Sequence, residues 1–144
     1  MTVELTIDGL VRTLFCHATP TSDELIYTRV TPDDELASIF AGVNVDVVVC
    51  GHTHVQFDRT LTTGLRIVNA GSVGMPYEGK RGEAFWALLG PDVDLRHTAY
   101  DVVAAGVAMR RTGAPDVDDQ LIRYLLEPPD PDEATSFFES ARGA

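Results

Sequence analysis

Basic residues are scarce in this chain. Lysine and arginine together number 11 against 22 aspartates and glutamates, a net charge of −11. That balance argues against a nucleic-acid surface or an anionic membrane as the main partner. No apolar run approaches the roughly 20 residues of a membrane span. The opening stretch Met1 to Asp8 has neither the basic start nor the apolar segment of a signal peptide. Cysteine occurs twice, as Cys16 and Cys50, each inside a strand-like run and neither in a Cys-x-x-Cys spacing. Both read as buried, reduced thiols of a cytoplasmic protein. No internal repeat, clear linker or second domain is visible. What remains is an ordinary globular composition: 144 residues, 44% hydrophobic, enough for one packed core.

The centre of the pattern is Val47-Val48-Val49-Cys50-Gly51-His52-Thr53-His54. An unbroken apolar run that stops at glycine predicts a strand buried on both faces and ending in a loop. Loops at such strand ends are where α/β proteins place their chemistry. Leu14-Phe15-Cys16-His17-Ala18-Thr19-Pro20 repeats the design. Before it, Val3 to Ile7 and Leu10 to Cys16 flank Asp8-Gly9, which predicts a hairpin with a two-residue turn. Thr31-Pro32-Asp33-Asp34-Glu35 opens a helix, with Thr31 as cap, Leu36, Ile39 and Phe40 as its apolar face, and Gly42 as its stop. Strand, helix and strand from His17 to His52 make a βαβ step of about the expected length.

A second hairpin follows, Val55–Leu61 against Leu65–Asn69 around Thr63-Gly64. Two further strands, Ala84–Leu89 and Val93–Tyr100, are split by Gly90-Pro91-Asp92. Asp101 caps a helix running to about Arg111. A short helix from Asp118 to about Glu127 and a last one from Asp132 to Ala141 complete the chain, with Phe137 and Phe138 expected to dock the last helix on the body.

His17, His52 and His54 therefore stand at strand ends. Imidazole is the commonest protein metal ligand, and this setting predicts a metal site. The competing reading is polar residues in surface loops. His97, inside an alternating strand, reads as a surface histidine. Cys16 should face away from whatever His17 faces, because neighbours in a strand point to opposite sides; the thiols are therefore not expected as ligands. Asn69-Ala70-Gly71-Ser72-Val73-Gly74-Met75-Pro76 is a tight small-residue loop expected to pack against the metal loops. Gly51 is expected to ease the turn into His52, and Gly71 and Gly74 the turns of this loop, with Asn69 and Ser72 as polar support. No helix follows it as a P-loop requires.

Cys16-His-Ala-Thr-Pro20, Cys50-Gly-His-Thr-His54 and Asn69-Ala-Gly-Ser-Val-Gly-Met-Pro76, in that order, resemble the calcineurin-like metallophosphoesterases, in particular their small bacterial and archaeal phosphodiesterase branch. The resemblance covers residues 1–111 and leaves 112–144 as a helical tail of the same domain. It implies an α/β fold, the C-terminal half of a β-sandwich flanked by helices in α-β-β-α layers. It implies two divalent ions (Mn, Fe, Zn or Mg), a bridging hydroxide and a phosphate-ester substrate. His17 and His52 would ligate one ion and His54 the other. The family's Asp-x-His, Gly-Asp-x-x-Asp and Gly-Asn-His-Glu motifs occur nowhere in these residues. The chain is therefore expected to be N-terminally incomplete, or a half-protein completed by another chain. By itself it is expected to be inactive and to self-associate through an uncovered apolar face. The alternative is a non-catalytic metal-binding or interaction module that keeps the histidines. A third reading, a mononuclear zinc hydrolase, requires the three imidazoles to meet on one ion.

Overall fold

The computed structural model describes residues 1–142; the last two residues of the expected 112–144 tail lie outside the described residues. Strands β1 (Val3–Ile7), β2 (Val11–Phe15), β3 (Val47–Cys50), β4 (Phe57–Thr60) and β5 (Arg66–Asn69) form one sheet in the order β1-β2-β3-β5-β4. β2, β3 and β5 run parallel, and β1 and β4 are antiparallel edges. Strands β6 (Glu83–Leu89) and β7 (Val93–Ala99) form a separate antiparallel hairpin.

The valine run explains the layering. Successive side chains of β3 point to opposite faces, and both faces are covered. Val48 and Cys50 join Ile67, Phe57, Tyr27 and the face of helix α1 (Asp33–Ile39) carrying Leu36, with Phe40 just beyond it. Val47, Val49 and Val68 face the other way, against Leu10 and the partly buried Leu89, Val93 and Leu95 of the hairpin. Helix, sheet and hairpin therefore stack as layers around two small cores.

Several local expectations change. The β1–β2 connection has three residues, not two: Leu10 N–H closes the turn on the Ile7 carbonyl at 3.0 Å, and Leu10 is buried in the second core. Burying Leu10 takes it out of the strand. Gly9 lies at φ +80, and a Cβ there would sit 1.9 Å from the Pro91 carbonyl oxygen, so this turn packs directly on the β6–β7 turn. Thr31 does not cap α1. Its hydroxyl accepts from Thr28 N–H at 2.9 Å and donates to Glu139 at 2.7 Å, and Pro32 occupies the cap position without a side-chain bond. Asp101 does cap helix α2 (Val102–Arg111), accepting from Val103 and Ala104 N–H.

The C-terminal helices sit on the body. Helix α3 (Val117–Gln120) continues into a wider π-helical stretch, Leu121–Leu126, whose end is marked by Glu127 N–H bonding the Ile122 carbonyl at 2.8 Å. Helix α4 (Pro131–Ala141) is tethered by Glu139 to Thr28 and Thr31, by Arg142 to Glu35, and by Asp132 to Arg29. Its docking residues differ from expectation. Ala134 and Thr135 are buried and Phe138 stacks on Tyr77, whereas Phe137 is 68% exposed. Among the described residues no helix is long and apolar enough to cross a membrane.

Candidate metal centre

The parallel ladder between β2 and β3 brings the first two histidines together. Beyond the paired residues Phe15 and Val49, Cys16 N–H bonds the Val49 carbonyl at 3.1 Å and Gly51 N–H bonds the His17 carbonyl at 2.9 Å. His17 thus leaves its strand beside Gly51-His52. His52 Nδ1 lies 3.1 Å from His17 Nε2, with the rings edge to face. Two imidazole nitrogens bound to one ion at about 2.0–2.1 Å, at angles from 90° to tetrahedral, are separated by roughly 2.8–3.4 Å. The observed pair fits adjacent positions on one ion; without an ion, one ring donates to the other.

His54 is set differently. Its Nδ1 lies 2.9 Å from the Met75 carbonyl oxygen. A carbonyl only accepts, so Nδ1 carries the proton and Nε2 keeps its lone pair. An imidazole oriented through its other nitrogen in this way is the usual arrangement of a metal-ligating histidine. Ser72 stabilises the tether, since its Oγ accepts from Met75 N–H at 3.0 Å. Tyr77 packs on the His54 ring at 5.1 Å between centroids.

The unusual backbone falls on the histidines themselves. His52 and His54 lie at φ +68 and +57, while Gly51 does not have a positive φ. Histidine is among the residues that reach this region more readily than most. Asn69, paired with Cys50 across β3 and β5, holds the loop in that shape. Its amide donates to the Gly51 carbonyl at 2.6 Å and to Thr53 Oγ1 at 3.1 Å, and its carbonyl accepts from Gly71 N–H at 2.9 Å. Gly71 sits at φ +79, where a Cβ would lie 2.7 Å from Gln56 Cγ. Gln56 in turn reaches the carbonyls of Ala70, Trp86 and Arg96, fastening the loop to the hairpin layer.

Electrostatics keep two of the rings in their ligating form. Burial, then the neighbouring His17, holds His52 below the ordinary histidine value; a backbone hydrogen bond at Glu24 and the charges of Asp23 and Glu24 pull the other way. Burial also lowers His54, against the Met75 hydrogen bond. The thiols are poor ligands here. Burial pushes Cys16 up to about 11 and Cys50 up to about 12. Cys16 packs into the α1-side core while His17 is exposed. His97 bonds Glu83 at 2.9 Å and stacks on Phe85 on the hairpin, so its ring is engaged there.

Among the described residues, no three His, Cys, Asp or Glu side chains are gathered closely enough to hold an ion. The described residues therefore do not gather the three imidazoles that the zinc reading requires. What the chain provides is a convergent pair, His17 and His52, with His54 oriented separately. Sequence reasoning missed Met75, which acts through its carbonyl, and Tyr77. A backbone acceptor leaves no residue-type signal, and a lone tyrosine after Gly-Met-Pro has no spacing to mark it.

A family model described as the calcineurin-like phosphoesterase superfamily domain matches residues 2–89. Among solved structures, a hypothetical protein from Pyrococcus horikoshii OT3 aligns with TM-score 0.69 and 19% identity over 88% of this chain and 51% of its own. A metallophosphoesterase from Sphaerobacter thermophilus aligns with TM-score 0.57 and 22% identity over 82% of this chain and 56% of its own. The chain thus spans about half the length of these relatives, and at such identities the likeness establishes the fold. No curated protein matches the chain.

Proposed function

Because the chain belongs to the calcineurin-like phosphoesterase superfamily, we propose that it serves a divalent-metal-dependent phosphohydrolase, a phosphodiesterase or phosphatase acting on phosphate esters. The observation that carries this reading is the 3.1 Å approach of His17 Nε2 and His52 Nδ1. In the proposal these two nitrogens hold one ion, and His54 offers Nε2 to a second. When bound, such a pair of ions neutralises phosphate charge and makes water acidic enough to attack phosphorus in line. Three neutral imidazoles offset none of that positive charge. Carboxylate, water or substrate oxygens from outside this cluster must complete the coordination. Whether those donors come from the same polypeptide or another, the role of this chain is to fix three nitrogens.

Calorimetric titration with Mn²⁺ tests the reading. Wild-type protein should bind the ion, His17→Ala and His52→Ala should each weaken binding at least about tenfold, and His97→Gln should leave it unchanged. Equal affinity in wild type and His52→Ala would refute the assignment. A second reading is favoured by the lack of a gathered carboxylate among the described residues: a non-catalytic metal-binding or interaction module. It predicts at most about one weakly bound ion and no turnover of an aryl phosphodiester. Two tightly bound ions per chain would reject it.

A further inference from the structure

An aromatic wall runs from His54 into the C-terminal helices. The Tyr77 ring lies 5.1 Å from His54, 6.2 Å from Tyr124 in the π-helical stretch, and 6.0 Å from Phe138 of α4, stacked on the last at 29°. Phe137 meets Phe138 edge to face at 5.6 Å. Tyr77, Phe137 and Phe138 border a cavity of about 220 Å³ that also takes in Arg123 and Glu133. Drug-sized sites run from roughly 300 to 1,000 Å³, so this one suits a single heterocycle. The Arg123 guanidinium also lies 5.9 Å from the Tyr124 ring centroid. Two details set the cavity apart from ordinary packing. Phe137 stands 68% exposed at its lip, an unfavourable place for a benzyl group that covers nothing. And Arg123 is presented from a π-helical stretch, a geometry that recurs at functional sites.

We propose that this cavity is a subsite for the nucleobase of a nucleotide-type phosphate ester. Aromatic faces stack on any base, and one cation beside one carboxylate matches a heterocycle carrying both acceptors and N–H donors. A hydrocarbon would use neither charge, and a sugar would offer only a C–H face and no π-face to the rings. Tyr77 is shared between the cavity and His54, so a base on this wall is joined through a short linker to a phosphate at the histidines. The inference rests on the phosphohydrolase reading only for the position of that phosphate. The base subsite consists of this chain's own side chains and needs no ion.

The test is calorimetry on the full chain in excess chelator, with adenosine 5′-monophosphate and ribose 5-phosphate as probes. The base should tighten binding about tenfold or more. Phe137→Ala should remove most of that advantage and leave ribose 5-phosphate unchanged; its exposure means that truncation leaves the core intact, and a matching thermal melt verifies this. Arg123→Gln should also reduce the advantage. Equal binding of the two probes, or an undiminished preference in both variants, would overturn the proposal. If Mn²⁺ binds at the histidines and the two probes bind equally, the subsite fails alone. If no ion binds and the preference persists, the phosphohydrolase reading fails and the subsite stands.

Discussion

Replacing Asn69 tests whether the candidate centre is pre-shaped by the fold. Asn69 is 1% exposed and donates to the Gly51 carbonyl at 2.6 Å and to Thr53 Oγ1 at 3.1 Å, while accepting from Gly71 N–H at 2.9 Å. In Asn69→Ala these partners are affected unequally. The Gly51 carbonyl keeps the Thr53 N–H at 2.8 Å, and the Thr53 hydroxyl can rotate, so their losses are partial. Gly71 N–H loses its side-chain acceptor in a half-buried setting, which costs about 1–3 kcal/mol, against about 1 kcal/mol for an ordinary lost bond. Together the change should destabilise the domain by roughly 2–4 kcal/mol. At about 3 °C per kcal/mol for a domain of this size, the melting temperature should fall by roughly 6–12 °C. Mn²⁺ affinity should drop by about 10–100-fold, since the residue orients His52 and His54 without touching an ion. Asn69→Asp should be no milder: it keeps the Gly71 bond but has no proton to give the Gly51 carbonyl at neutral pH. Scanning calorimetry and metal titration read the two effects. A melt within about 1 °C of wild type, with unchanged affinity, would refute the view that Asn69 holds the loop.

Leu36 is fully buried between α1 and the sheet; Leu36→Ala should cost about 2–5 kcal/mol, read as a lower urea midpoint with unchanged slope. For Glu139, burial alone would raise the carboxyl, but the Thr28 and Thr31 hydroxyls and Arg142 outweigh it and hold the group below its ordinary value of 4.5. A depressed carboxyl stabilises fully above that value, and the gain is lost as pH falls from there through the folded-state value. Wild-type stability should therefore fall more steeply below about pH 4.5 than that of Glu139→Gln, in urea melts at a series of pH values; parallel curves would contradict the assignment. Val3 and Leu5 are 49% and 51% exposed on one face of edge strand β1. Sedimentation should show self-association that Val3→Thr with Leu5→Thr weakens, and a single non-associating wild-type monomer would count against it.

The layering was legible because β3 carries it in residue types alone. Four apolar residues in a row require cover on both faces, and the helix and hairpin on either side are the cover. The capped helix at Asp101 was equally plain, because among the described residues nothing competes for its side chain, which bonds the helix N-terminus. Thr31 had the same local credentials and failed for a tertiary reason. Glu139 and Arg142, more than a hundred residues away, take its hydroxyl. Phe137 and Phe138 show the same limit. Sequence marks both as apolar, and only the position of Tyr77 decides which one is covered. Local patterns predict caps and faces until a distant polar or aromatic group competes for the same atoms.

The meeting of His17 and His52 was legible from their matching strand ends, and the separate orientation of His54 was not legible from spacing. His52 and His54 are two residues apart, which in an extended chain would send both rings the same way. The structure instead bends the chain into positive φ at both residues and leaves Thr53 buried between them. Each such residue carries a strain of order 1–3 kcal/mol and persists only where the surroundings over-determine it. Here the surroundings are Asn69 on the Gly51 carbonyl and Thr53 hydroxyl, and Met75 on His54. The strain separates the two rings, so that His52 turns to His17 while His54 turns to the carbonyl of a different loop. A relaxed Gly51-His-Thr-His54 segment could place both imidazoles on one ion. The bent one turns His52 toward His17 and His54 toward the Met75 carbonyl, which is the arrangement the proposed two-ion reading requires.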